Sequence, residues 1–357
     1  MADYHCFKPE SLTTAIKALV KGYGSDPTEV DLVTNNLIRA NLTGHDSHGI
    51  GMLPRYTESY LEGGLVANAH VSKRLDQGPL VALDGCSGFG QVVGHEAMLV
   101  AIDRAKEQGS CIMALSNAHH LCRIGAWAEM AVAQQLISIH FVNVLSDPAV
   151  AAWDGSDARF GTNPFCVGIP LKDRDPVVLD FATSVIAKGK ARVAYNKGEQ
   201  LKPGQLIDHH GNPTTDPVHS IKPPFGALRA FGEHKGFGLA LVCELLGGAL
   251  AGGMTLHEHP KGRRVGNGML TIVIDPARLS PGDAFAREAL AFVDWVRQSP
   301  AAPGTDGVKI AGEPERKTMA ERMSQGIPVD DTTWKEVLHA ASLLKVDPEL
   351  VDKLARQ

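Results

Sequence analysis

The residues in this chain best suited by type and spacing to move a proton are His45 and His48, in the polar joint Gly44-His45-Asp46-Ser47-His48-Gly49. An imidazole needs only a small shift to give or take a proton near neutral pH. Taken alone, the hexapeptide reads first as a turn, because Asp, Ser and Gly are turn formers. Two further histidine sites, His119/His120 and His234, raise the question of a metal, with His45, His48 and His119 as candidate ligands. The usual short ligand spacings are absent, since neither HExxH nor CxxC occurs. The one HxH, His257-Glu258-His259, stands in a polar stretch before Pro260 and reads as solvated surface. No metal is therefore expected, and a serine hydrolase is disfavoured because no GxSxG elbow is present.

A second constellation is rich in small residues and hydroxyls: Gly161-Thr162-Asn163-Pro164, Asp180-Phe181-Ala182-Thr183-Ser184, Gly266-Asn267-Gly268 and Ala311-Gly312-Glu313. Such segments at strand ends let backbone amides approach a phosphate or an amide ring. Arg123, Lys188 and Lys235 offer positive charge. Each segment alone is an ordinary turn; together they point to a large polyanionic ligand without identifying it.

The elements that must position these groups are legible in outline. Leu12, Ile16, Leu19 and Val20 mark one helix, ended near Gly22 and Gly24. Asp26, Pro27 and Glu29 then form a capping-box start to a helix that carries Val30, Val33 and Leu37 and stops at Gly44. A third helix covers Leu53 to Leu61. Beyond Val71 strands and helices alternate: strand 79–85, helix 91–108, strand 112–115, helix 126–135, strand 137–144. Strands at 165–170 and 177–181, a short helix with Lys188, Lys190 and Arg192, and a Gly/Pro/Asp-rich loop over 203–217 follow. Gly236 to Met254, the most apolar stretch, holds Glu244 and six glycines, and reads as a buried, tightly packed helix and not a membrane span. Strand 269–274 precedes helices at 284–297, 314–324, 332–344 and 348–355. The expected fold class is α/β with a mixed sheet, as a discontinuous helical domain from both chain ends (1–72 and 283–357) around an α/β domain (73–282).

Gly88-Phe89-Gly90-Gln91-Val92-Val93-Gly94 imitates a dinucleotide fingerprint, following a strand and opening a helix. Its third glycine is one place late, and the next strand ends in Leu115-Ser116-Asn117 with no acid for a ribose. An ordinary Rossmann site is not expected, and the glycines read as serving a tight turn.

Composition bounds the partners. The 357 residues carry a formal charge of −5 and no long basic run, which argues against nucleic acid. Six scattered cysteines and no leader-like N-terminus fit a reducing cytoplasm and no membrane anchor.

The ordered motifs together resemble the malate/L-lactate/L-sulfolactate dehydrogenase family of NAD(P)-dependent 2-hydroxyacid oxidoreductases, which is unrelated to the Rossmann-type enzymes. The likeness runs nearly end to end. It includes the hexapeptide, Ser116-Asn117-Ala118-His119-His120 with Arg123-Ile124-Gly125, Gly161-Thr162-Asn163-Pro164, Asp180-Phe181-Ala182-Thr183-Ser184, Ile207-Asp208 with Gly211 and Asp216-Pro217, His234-Lys235-Gly236 with Glu244, and Gly312-Glu313. Ser47 to Met52 and Glu233 to Gly236 are shared with its hydroxycarboxylate dehydrogenase branch.

The resemblance implies a helical domain beside a non-Rossmann nucleotide-binding domain, in a homodimer with the active site near the interface. It implies NAD or NADP as cofactor and a small 2-oxoacid or 2-hydroxyacid as substrate. It puts the catalytic histidine on His48, with Asp180 as partner. Asp180 would hold the imidazole in one tautomer and raise its pKa. Cofactor contacts fall on His48, on His120, Cys122, Arg123 and Ile124, on Thr162, on Val178, Leu179, Asp180, Phe181 and Ala182, on His234 and Lys235, on Asn267, and on Gly312, Glu313, Pro314, Glu315 and Arg316. Many members carry an arginine four residues after the histidine to grip the substrate carboxylate; this chain has Met52. Arg55 and Arg123 are candidate replacements, and Met52, Arg55 and Thr162 are the expected substrate residues. Gln205 also replaces a common tryptophan. The leading expectation is an NAD(P)H-dependent 2-oxoacid reductase working through His48. A cyclic imino-acid reductase is its variant within the family. A metal-dependent hydrolase or lyase and a non-catalytic nucleotide-binding protein are the alternatives outside that class.

Overall fold

The computed structural model describes residues 4–258, 265–280 and 282–357. His259 and Pro260 lie outside them; His257 of the HxH pair is exposed and meets Thr255 through its ring.

The N-terminal helices follow the pattern of their apolar positions. Helix α1 (Pro9–Val20) buries Leu12, Ile16 and Leu19, and α2 (Pro27–Leu42) buries Val30, Val33 and Leu37. Asp26 caps α2 by accepting from the Glu29 amide at 2.8 Å. The expected capping box is only half formed. The Glu29 carboxylate turns to Ser25 and the Asn68 amide, while the Asp26 amide donates to Asn68 Oδ1. Helix α3 (Leu53–Leu61) matches its expected span. These helices share one apolar core with the last ones: Tyr23, Tyr56 and Phe89 pack with Trp334, Val337 and Val351. The two chain ends are also tied by an antiparallel ribbon, Tyr4–Phe7 against Ile327–Asp330, which the sequence reading missed.

The central sheet has seven strands: β1 (Ser72–Gln77), β2 (Leu80–Asp84), β3 (Ser110–His119), β4 (Ile137–Leu145), β5 (Phe165–Leu171), β6 (Arg174–Phe181) and β7 (Gly266–Ile274). Their order is β1-β2-β3-β7-β4-β5-β6. Only β2 and β3 run parallel; the other pairs are antiparallel. The fold class is therefore mixed α/β. Strand β1 was not foreseen, because every residue of it is exposed and no apolar alternation marks it.

Helices α4 (Gly90–Gln108) and α5 (Gly125–Val132) cover one face, where Ala97, Ala101 and Trp127 meet Met113, Leu115, Val142 and Met269. Asn143, next along β4, points to the other face and meets Glu244. That face is covered by α6 (His234–Cys243), which continues as a π-helix from Glu244 to Leu250. The expectation of an all-round buried helix fails there. Leu241, Val242, Leu245 and Leu250 are exposed, while Gly247 and Gly248 let the inner side lie on the β4 backbone.

The false fingerprint combines the expected tight turn with a close backbone approach. Gly88 does close a tight turn, donating its amide to the Gly85 carbonyl, with Cys86 and Ser87, just ahead of the fingerprint, as the left-handed residues. A Cβ on Gly90 would fall 2.1 Å from the His120 carbonyl, so this glycine exists for close approach.

Candidate active site

Asn41, near the end of α2, builds the histidine loop. Its Nδ2 donates to Asp46 at 2.7 Å and its Oδ1 accepts from the Ile50 amide at 2.9 Å. A Cβ on Gly49 would meet that Oδ1 at 2.0 Å, so only glycine lets the loop close over it. Asp46 is gripped from outside by Arg322, at 2.6 and 3.0 Å. His45 Nε2 pairs with Glu315 at 3.4 Å. Arg322 and Glu315 belong to one helix, Glu313–Gln325, so the loop is pinned between the start and the end of the chain.

His48 is half-buried and stacks on His120, with ring centroids 5.5 Å apart. His120 Nδ1 shares a 2.8 Å hydrogen bond with the Tyr56 hydroxyl, and Gln91 donates to the same hydroxyl at 3.0 Å. The Cys122 thiol donates to the His48 carbonyl at 2.9 Å. Burial pushes the Cys122 thiol pKa up, and Cys122 holds an unusual left-handed backbone (φ +63°). Burial also lowers the His48 pKa to about 4, with His45 and Arg123 adding to the effect. The His120 pKa goes down by burial, helped by His48, His119 and Arg55.

These observations correct the expected relation between His48 and Asp180. His48 Nδ1 meets Ser47 Oγ at 2.9 Å. The Asp180 carboxylate accepts from the Gly125 amide at 2.7 Å and faces Arg123 and His45. Its pKa is raised by burial, against the pull of Arg123. With Asp180 bonded elsewhere, the His48 imidazole is shifted down and not up, because lost hydration and nearby cations outweigh any carboxylate.

Arg123 is buried and paired with Glu129 at 2.5 Å; Glu129 also takes Arg39 at 2.9 Å. Around them lies a cavity of about 40 Å³, lined among others by Val178, Asp180, Gly312, Glu315 and Arg316. The lining comes together because β6 is an edge strand whose Val178 amide donates to Ala311. Arg316 donates to the Pro176 carbonyl and pairs with Asp175. Glu315 Oε2 is buried there without a hydrogen-bond partner. An unsatisfied buried acceptor is costly unless something donates to it.

The remaining expected residues divide. Ile124 is buried in the sheet core, and Leu179 is exposed. Phe181 packs its ring on Phe165 and Phe231, beside half-buried Ala182. Glu313 accepts from the Ile310 amide and pairs with Arg297, and Pro314 opens the same helix. His234 and Lys235 are exposed at the start of α6, with His234 edge-on to Trp153. The Thr162 carbonyl accepts from Thr183. Met52 packs against the terminal-helix core, away from the role of a cation.

Asn267 is buried and fully used: its Nδ2 donates to the Asn143 carbonyl, and its Oδ1 accepts from the Leu121 amide at 2.8 Å. Asn143 and Asn163 both donate to Glu244. This knot joins two of the small-residue motifs and holds the chain just after His120. Sequence reading missed Tyr56, Glu129 and Arg322. Each acts through a partner distant in sequence or unremarkable in spacing, so no local signal could have found them. Among the described residues no three His, Cys, Asp or Glu side chains gather as a metal-holding group, so His45, His48 and His119 do not assemble as ligands.

A mixed-sheet α/β fold carrying a histidine loop held against a charged cleft is the architecture of a family of 2-hydroxyacid oxidoreductases. The chain belongs to that family: residues 7–338 match the malate/L-lactate dehydrogenase family. It is 44% identical to hydroxycarboxylate dehydrogenase B of Escherichia coli (strain K12), over 100% of this chain and 99% of the relative. The solved sulfolactate dehydrogenase of Methanocaldococcus jannaschii superposes with a TM-score of 0.86 at 30% identity, over 97% of this chain and 99% of that one. The delta1-piperideine-2-carboxylate reductase of Pseudomonas syringae superposes at 0.82 and 28% identity, over 94% of this chain and 99% of that one. The chain is thus an enzyme of the 2-hydroxyacid dehydrogenase type. Among the described residues no helix is long and apolar enough to cross a membrane.

Proposed function

We propose that the protein reduces a 2-oxocarboxylic acid to the 2-hydroxy acid with NADH or NADPH, reversibly, and that His48 exchanges the proton. The observation that carries the reading is the His48 ring itself. It is half-buried and stacked on His120, and only its Nδ1 is engaged, by Ser47. That leaves Nε2 for a substrate oxygen. A neutral imidazole at pH 7 is the form that accepts a proton from a 2-hydroxy acid. In the reducing direction an arriving carboxylate would offset Arg123 and His45 and raise the His48 pKa towards the donor form.

The nicotinamide dinucleotide is assigned to the Val178–Ala182 and Gly312–Arg316 segments, whose shared cavity of about 40 Å³ must widen to admit it. In this reading the unpartnered Glu315 Oε2 would accept from a ribose hydroxyl. The bound cofactor would supply the hydride to the substrate carbonyl carbon. Asp180 would act there as an acceptor fixed by Gly125, balancing Arg123 and not holding His48. Arg55, within electrostatic reach of His120, is the cation for the substrate carboxylate; Arg123 is already committed to Glu129. The likeness to an imine reductase favours one second reading, a cyclic imino acid as the reducible group at the same site.

The same reading carries the quaternary and cellular expectations: a homodimer in the cytoplasm. Exposed Leu241, Val242, Leu245 and Leu250 on α6 and its π-helical continuation support a second copy as neighbour. The deciding measurement is oxidation of NADH and NADPH against pyruvate, oxaloacetate, 2-oxoglutarate, phenylpyruvate and a cyclic imino acid. Turnover of an oxoacid supports the reading; turnover of the imine alone moves the enzyme to the second one. No nicotinamide binding at all removes both.

A further inference from the structure

We propose that Lys188 is the second cation holding the substrate carboxylate, opposite Arg55, and that it sets which acids the enzyme accepts. The inference rests on the proposed oxoacid reading and deepens it. Lys188 opens the helix Lys188–Lys197, and that helix start lies against the histidine loop. A Cβ on the next residue, Gly189, would stand 3.5 Å from the Ser47 Cβ. Ser47 is the residue whose hydroxyl meets His48 Nδ1. Lys188 therefore stands at the start of a helix that touches the histidine loop, within electrostatic reach of Arg55 on α3.

The charges around it are unbalanced in favour of an anion. Lys188 lies within electrostatic reach of Arg55 and Arg192, and only Asp147 opposes them. Among the described residues no carboxylate forms an ion pair with Lys188, and the side chain is exposed. Lost hydration and the two arginines all push its ammonium pKa down. A carboxylate arriving between Lys188 and Arg55 would relieve that strain on both sides. Arg123 and Arg39 are paired with Glu129, Arg322 with Asp46 and Arg316 with Asp175. Position 52, where a cation would do this work from the histidine's own segment, holds a methionine packed on the core. A lysine on a separate helix replaces it, and as a flexible point charge it fixes the carboxylate less rigidly than a forked guanidinium. Acids of varied length would then be accepted at similar KM.

The test compares wild type, Lys188→Gln and Lys188→Arg with the best oxoacid of the panel. Oxamate is titrated in parallel onto the protein–NADH or protein–NADPH complex, followed by cofactor fluorescence. Lys188→Gln should raise KM and the oxamate Kd by roughly 10–100-fold, the scale of one charge-assisted hydrogen bond. Its kcat and cofactor Kd should stay within about threefold, and Lys188→Arg should recover most of the loss. Unchanged KM and oxamate Kd in Lys188→Gln overturn the proposal. So does a fall in kcat with KM intact, or an arginine variant no better than the glutamine one. A wild type that turns over no oxoacid with either cofactor overturns the underlying reading instead.

Discussion

Two histidine environments in this molecule look alike in one respect and opposite in every other. In strand β4, His140 is fully buried, and its ring nitrogens meet Thr271 and Ser138, each at 2.9 Å. At the polar loop, His48 is half-buried, its Nδ1 meets Ser47, and its face lies on His120. Burial pushes both imidazoles down, His140 to about 3 and His48 to about 4. A lowered pKa therefore does not mark a working histidine here. What separates the two is hydrogen-bond capacity: His140 has none left to offer, whereas His48 keeps a ring nitrogen open beside cations and a cleft.

The largest effect that would break this contrast is on turnover. His48→Gln should lower kcat/KM for the best oxoacid by roughly 10²–10⁴, the usual worth of a general acid–base group. Its urea midpoint should barely move. His140→Ala should do the reverse. It empties a packed site and strands two hydroxyls, costing about 3 kcal/mol in urea unfolding, with kcat/KM per folded molecule unchanged. Turnover loss in His140→Ala with stability intact would erase the distinction.

The acid limb of stability sharpens it. A native pKa near 3 against an unfolded value near 6.5 means that the unfolded chain binds the proton first as pH falls. Stability from His140 is thus present above pH 6.5 and is lost progressively down towards pH 3. Between pH 7 and 5, wild type should lose about 2 kcal/mol more than His140→Ala in urea titrations at each pH. Equal slopes would show that His140 titrates normally. The smallest effect concerns the loop. Asp46→Asn should weaken the Arg322 grip and lower kcat about tenfold through misplaced His48, with cofactor affinity kept. Unaltered kcat would mean that Asn41 and Gly49 position the loop unaided.

The contrast also explains what was legible beforehand. The α2 start at Asp26-Pro27, the α3 span and the alternation from β2 to β4 follow from local patterns, and the structure carries them. His48 stood out because its neighbours are turn formers. His140 did not, since a histidine inside Ile137-Ser138-Ile139-His140-Phe141 is simply one residue of a strand. The Glu29 half of the capping box is lost because Ser25, next to the cap, and Asn68, far along the chain, take the same carboxylate. The Asp180–His48 bond failed for a similar reason, since Gly125 holds that carboxylate. Strand β1 and the Tyr4–Phe7 ribbon lack apolar periodicity, and their partners are strands elsewhere in the chain. The turn at Gly88 was legible, but sequence cannot show that His120 presses on Gly90.

The tether of the histidine loop to the helix Glu313–Gln325 has a consequence for the order in which the enzyme is made. A ribosome releases residues 44–49 long before Glu315 and Arg322, and the strand Tyr4–Phe7 waits still longer for Ile327–Asp330. Nearly the whole chain must emerge before either contact can form. A nascent chain therefore carries its histidine loop unfastened for most of its synthesis, and the loop is pinned only once the helix Glu313–Gln325 has emerged.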